Sequence, residues 1–259
     1  MRTLLYATTI ALAVLIGQIA ALPVETNLVE PKPVEIKPNL GMLKEETDHK
    51  YFHEPGNNDI LGHYDVRYYH GVVSYDERTD TLRHMIRAYL QFFRAEGIET
   101  WIAHGTLLGW WWNGMLLPWD WDVDVQVSGA TLAHLATHYN RTLHDYTSPS
   151  LAGPRSYLLD INPWSRERER GDGQNIIDAR WIDTRNGLYI DITGLSETHP
   201  DLAPGVVSCK NYHRYRMEDL YPLRESLYEG VPALIPNDYV KILTDEYQEK
   251  ALVEKEYEG

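Results

Sequence analysis

Residues 118–127, Pro-Trp-Asp-Trp-Asp-Val-Asp-Val-Gln-Val, constrain this chain more than any other stretch. The alternation has the period of a β-strand, in which every second side chain shares a face. It predicts a strand over 119–127, with Asp120, Asp122, Asp124 and Gln126 on one side and Trp121, Val123, Val125 and Val127 facing a core. Neighbours on one face of a strand lie about 7 Å apart, so three carboxylates in a row repel one another. A divalent cation removes that conflict, and two such carboxylates can embrace a metal pair about 3.5–4 Å apart. The plainer reading is a solvated acidic face on an edge strand. A calcium loop of the EF-hand type needs Gly at its sixth position and Glu at its twelfth. Counted from Asp120 these are Val125 and Thr131, which excludes it.

The surrounding pattern places this strand in a mixed fold. Leu82, Met85, Ile86, Tyr89, Leu90 and Phe93 recur at helical spacing and predict a helix over 75–96, ended by Gly97. A strand over 99–103 follows, then a Gly105-Thr106 turn in which Thr106 caps a helix over 107–112. Further on come a helix over 130–139, a strand over 157–161 and a polar loop over 165–174. Strands over 175–183 and 188–193 are joined through Asn186-Gly187, a strong hairpin signal, and a last helix covers 237–247. This order predicts an α/β or α+β fold, a mixed sheet flanked by helices. Asp191 stands alone in an apolar strand and needs a partner or a metal; it joins the acids if its strand neighbours theirs. Gly105-Thr106 before a helix start offers backbone N–H groups and a positive helix end to a phosphate. Together with the acids, that is an arrangement suited to phosphoryl transfer.

The N-terminus has Arg2, an uncharged apolar run over 4–16, and Ala20-Ala21. It reads as a signal peptide or signal anchor over 1–21. A proline-containing, charged stretch over 22–50 reads as an extended stem, leaving a folded domain over 51–259. The chain is thereby directed to the secretory pathway, and membrane contact is expected only through a retained anchor. The sequon Asn140-Arg141-Thr142 fits that location. Cys209 is the single cysteine, which excludes an intramolecular disulfide and a Cys-rich zinc site, and it is expected in the core. A net charge of −14 argues against nucleic-acid binding, which needs basic groups on phosphates.

Trp110, Trp111, Trp112, Trp119 and Trp121 cluster in sequence, either as a stacking surface for a sugar or base or as core packing. Trp112 and Trp119 are placed near a ligand. Arg180 and Arg185 could each present a planar fork to phosphate oxygens. Arg166, Arg168 and Arg170 alternate with Glu167 and Glu169, as in a solvated loop or a lid. His104 can hydrogen-bond a substrate or be structural. There is no Gly-x-Ser-x-Gly elbow and no His-Glu-x-x-His pair.

The ordered set His104-Gly105-Thr106-Leu107-Leu108-Gly109, Pro118-Trp119-Asp120, Asp122-Val123-Asp124, Asp178 to Asp183, Tyr189-Ile190-Asp191 and Ile235-Pro236-Asn237 resembles the LicD/fukutin-type proteins of the nucleotidyltransferase superfamily. The resemblance covers residues 80–247 and implies a nucleotidyltransferase-like α/β core. By resemblance, Gly105-Thr106 is the phosphate turn, and Asp122, Asp124 and Asp191 are the acidic set that binds Mg²⁺ or Mn²⁺. The run Trp111-Trp112-Asn113-Gly114 looks like the fungal branch linked to mannosylphosphate addition, and Trp112 stands where many members have Arg. The expectation is a metal-dependent phosphotransferase moving mannosylphosphate from GDP-mannose onto glycoprotein glycans. In it Asp122, Asp124, Asp191 and Asp120 are catalytic, and Gly105, Thr106, His104, Arg180, Trp112 and Trp119 contact substrate. The alternative is a non-catalytic regulator or partner of a glycosyltransferase that retains the fold. A glycoside hydrolase with two carboxylates is a third reading, against which strict metal dependence would argue.

Overall fold

The computed structural model describes residues 49–254. The segment over 1–21 and nearly all of the stem over 22–50 lie outside the described residues. Among those described, no helix is long and apolar enough to cross a membrane.

The long helix α1 (Tyr75–Ala95) forms where its spacing predicts. Ser74 caps it by accepting from the Glu77 N–H, and Leu82, Met85, Ile86, Tyr89, Leu90 and Phe93 are buried along one stripe. A short β1 (Trp101–Ile102) leads into α2 (His104–Asn113), which Gly114 ends in the left-handed region. Then come β2 (Asp124–Ser128), α3 (Gly129–His138), β3 (Thr142–Tyr146), β4 (Arg155–Ile161), β5 (Ala179–Asp183) and β6 (Tyr189–Leu195). These strands form one sheet in the order β1-β2-β6-β5-β4-β3. Only β2 and β6 run parallel; the other four pairings are antiparallel. Two small hairpins follow, β7 (Val206–Ser208) with β8 (Arg214–Arg216), and β9 (Arg224–Tyr228) with β10 (Val231–Ile235). The short α4 (Met217–Leu220), then α5 (Tyr239–Tyr247) and α6 (Lys250–Val253) complete the described chain. The fold is thus a mixed sheet flanked by helices. Its core includes Tyr89, Phe93, Trp101, Tyr157, Trp181 and Ile190. Cys209 is buried with them, as expected.

Two local expectations fail for instructive reasons. The strand over 119–127 is regular only from Asp124 onward. Before it, the Asp120 N–H donates to the Leu117 carbonyl and the Asp120 carboxylate accepts from the Asp122 N–H, so a turn replaces the ladder. The acids are therefore not a straight row, and Gln126 is buried instead of sharing a solvated face. Helix α2 begins at His104, whose φ of 49° turns the chain earlier than expected. Thr106 is consequently inside the helix and is not its cap; Ala103 holds that position.

Candidate functional site

The parallel pairing of β2 with β6 sets Asp124 directly beside Asp191, and the antiparallel β5 sets Arg180 beside Asp191. Around Asp124 the backbone is held on both sides. Its N–H donates to Thr106 Oγ1 at 2.9 Å, and its carbonyl accepts from the Ala103 N–H at 3.1 Å. The turn through Asp120 brings Asp122 to the same place, so that carboxylate oxygens of Asp122, Asp124 and Asp191 lie within 4.8 Å of one another.

Burial is the main reason these acids resist ionising. It acts first on Asp122, with the Asp191 and Asp120 charges adding to it, and lifts that carboxyl to about 7. Asp124 is raised well above its ordinary value by burial and then by Asp122. Burial also raises Asp191, opposed by the Arg180 guanidinium. Several oxygens of one sign, close together and short of cations, form a donor set that fits a hard divalent ion. Gly105 completes the cradle: a Cβ there would come within 2.9 Å of Asp120 Oδ2.

A cavity of about 550 Å³ opens over this cluster. Gly105, Asp120, Asp122 and Asp124 form one part of its lining, and Trp112, Trp119 and Tyr247 the apolar part. The Trp112 and Trp119 rings meet edge to face at 5.6 Å. Trp112 Nε1 donates to the Ala251 carbonyl and Trp111 Nε1 to that of Leu252, which fastens α6 at the cavity.

The remaining predicted residues stand behind this surface. Thr106 is buried and steadies Asp124. Arg180 is 3% exposed; its Nε donates to Asp191 at 3.0 Å, its Nη2 to Glu54 at 2.6 Å, and its plane stacks on Tyr189. It orients Asp191 and is not part of the cavity lining. Arg185 pairs with Asp183. Arg168, expected in a solvated loop or lid, reaches inward to Asp178 at 2.9 Å.

His104 belongs to a closed hydrogen-bond chain. Trp101 Nε1 donates to Gln126 Oε1 at 3.1 Å, which turns the Gln126 amide nitrogen toward His104 Nε2 at 3.3 Å. His104 Nδ1 then donates to Glu246 Oε2 at 2.9 Å, and Tyr215 donates to Glu246 Oε1 at 2.7 Å. Burial alone would raise Glu246, yet these hydrogen bonds hold it below its usual range. His213 lies against His104 with ring centroids 4.1 Å apart. Although His104, His213 and Glu246 are close enough to share an ion, their hydrogen bonds make the group a clamp between α5 and the start of α2. Glu246, Tyr247, Glu54 and His63, whose Nδ1 is 4.0 Å from Asp122, were not legible beforehand. No motif marks Glu246, Glu54 or His63, and Tyr247 shows in the sequence only as the end of the last helix.

Residues 97–238 match the family described as LicD/FKTN/FKRP, nucleotidyltransferase domain. The chain belongs to the LicD family. Among curated proteins this LicD chain is similar to Mannosyltransferase regulator 4 of Saccharomyces cerevisiae, with 35% identity over 177 residues, 66% of this chain and 15% of the relative. It is also similar to Mannosyltransferase regulator 14 of the same yeast, with 39% identity over 115 residues, 44% of this chain and 12% of the relative. The chain therefore spans well under two thirds of the length of either relative. Both names describe regulators, and this overturns the expectation of a phosphotransferase enzyme.

Proposed function

We propose that this LicD chain is a non-catalytic regulator or partner of a mannosylphosphate-transferring glycosyltransferase in the secretory pathway. It would act by holding a divalent cation and a phosphate-bearing donor of the GDP-mannose type near the transferase and its glycoprotein glycan acceptor. Asp122, Asp124 and Asp191 hold Mg²⁺ or Mn²⁺, which when bound supplies positive charge for phosphate oxygens. Asp120 and Gly105 would border a cation held there. Trp112 and Trp119 offer a stacking wall to a base or hexose. Thr106, Arg180 and His104 keep the acids and the turn in place.

The observation that carries this reading is an assembled acid cluster under an aromatic cavity, in a chain whose relatives are named mannosyltransferase regulators. Trp112 in the place of a basic residue agrees with binding in preference to turnover. The test is co-expression of the full chain with a mannosylphosphate transferase. The two should co-purify, and glycan transfer should rise with the chain present and fall back with Asp124→Asn. The chain alone should leave the donor intact. Transfer that is indifferent to the chain, or donor turnover by the chain alone, removes the reading.

A further inference from the structure

The LicD match begins at residue 97, and the resemblance assigns no ligand upstream of it. Yet a tight turn well before that point, the 3-10 turn Leu61–His63, approaches the acid cluster. The turn is held from several directions. Asn58 accepts from the backbone N–H groups of Ile60 and Leu61 through its side chain, at 3.1 and 2.7 Å. The Gly62 carbonyl accepts from the Tyr189 hydroxyl, two residues from Asp191 along β6. Tyr64 makes a bridge to Leu188, and the Asp65 N–H donates to the Gly187 carbonyl at 2.7 Å. The strand that delivers Asp191 thus also fixes the backbone that carries His63.

The imidazole stands at the rim of the acid cluster. Nδ1 faces Asp122 Oδ1 across 4.0 Å, and the His63 side chain retains 25% exposure. A histidine carried on a fixed turn and facing one carboxylate of a cluster is placed to join the donors of an ion bound there. A gap of this size is too long for a direct hydrogen bond. An ion ligated by both groups would span it after a small movement of either side chain.

We infer that His63 is a nitrogen ligand of the cation held by Asp122, Asp124 and Asp191, making a mixed nitrogen–oxygen site that selects Mn²⁺-class ions over Mg²⁺. The selection follows from donor chemistry: imidazole suits borderline transition ions, whereas Mg²⁺ prefers oxygen and water. The inference rests on the cation reading above but concerns a residue which that reading does not use.

The experiment uses the full chain, stripped of metal by chelation and reloaded with Mn²⁺ alone. Electron-spin-echo spectroscopy reports whether an imidazole nitrogen is directly coupled to the ion. Competition with Mg²⁺ gives the selectivity. Wild type should show nitrogen coupling. His63→Ala and the bulkier His63→Gln should lose it while still binding Mn²⁺, and their preference for Mn²⁺ over Mg²⁺ should fall about tenfold. Urea midpoints of both variants confirm folding. Coupling that persists in the variants, coupling absent from wild type, or unchanged selectivity overturns the assignment of His63. Wild type that binds no Mn²⁺, or binding that survives Asp124→Asn, overturns the cation site itself and is distinguishable from the first failure.

Discussion

The two halves of the sheet, β4 with β5 and β2 with the turn before it, treat their aspartates in opposite ways. Toward β4 and β5, each deeply buried acid meets a cation. Asp160 accepts from Arg67 at 2.6 Å, Asp183 from Arg185 at 2.8 Å, and Asp178 meets both Arg168 and Lys210 at 2.9 Å. At β2 and the turn before it, no Lys or Arg among the described residues forms an ion pair with Asp120, Asp122 or Asp124. Arg180 serves Asp191 alone. The same fold can pair its acids, and the group it leaves without Lys or Arg beside a cavity is the one proposed above to hold a cation.

The largest expected effect breaks the paired set. Asp178→Ala leaves Lys210 and Arg168 without their shared carboxylate and removes the acceptor of the Gly194 N–H. Urea denaturation should show a loss of about 3–5 kcal/mol. The unpaired set should behave in reverse. Asp124→Asn should not destabilise the metal-free chain, because it removes a repelled charge. Mn²⁺ at a hundred times its dissociation constant should stabilise wild type by about 2.7 kcal/mol and leave that variant unmoved, as read by thermal melting.

Acidity separates the regions further. His144 packs on Trp181, and burial lowers its pKa from 6.5 to about 4. A base whose folded pKa is depressed contributes stability above its unfolded pKa and loses it as pH falls toward the folded one. His144→Gln should therefore flatten a loss on the order of 1–2 kcal/mol between neutrality and pH 5. Asp122 has the opposite sign. Its raised folded pKa makes the metal-free chain more stable below about 4 and less stable as pH climbs through about 7. Saturating Mn²⁺ should cancel that loss in pH-dependent melts. The smallest effect is expected at the clamp. Glu246→Gln keeps an acceptor for Tyr215 or His104 but weakens both contacts, and should cost about 1 kcal/mol. Hydrogen exchange should quicken in α5 while the amides of β4 stay protected.

Much of this was legible because local pattern and tertiary demand agree. The stripe of α1 and the β5–β6 hairpin at Asn186-Gly187 are where periodicity and turn chemistry place them, Gly187 having a φ of 86°. Asp191 stood out as an acid in an apolar strand, and the β2–β6 register confirms its place beside Asp124. Edge strand β3 and the exposed β9 carry mixed polar residues, so alternation does not mark them. The Asp-Trp-Asp alternation over-predicted a strand because an aspartate side chain can satisfy a backbone N–H and close a turn instead. His63 and Glu246 escaped because long-range pairing positions them: Tyr64 with Leu188 for one, and Gln126 with His104 for the other.

The edge-to-face indole pair at the cavity gives the molecule a built-in optical gauge. A guest that slides against Trp112 or Trp119 displaces water from a chromophore, and the emission colour and brightness of the unlabelled protein should report its arrival. Seating can thus be followed without dye, tag or turnover.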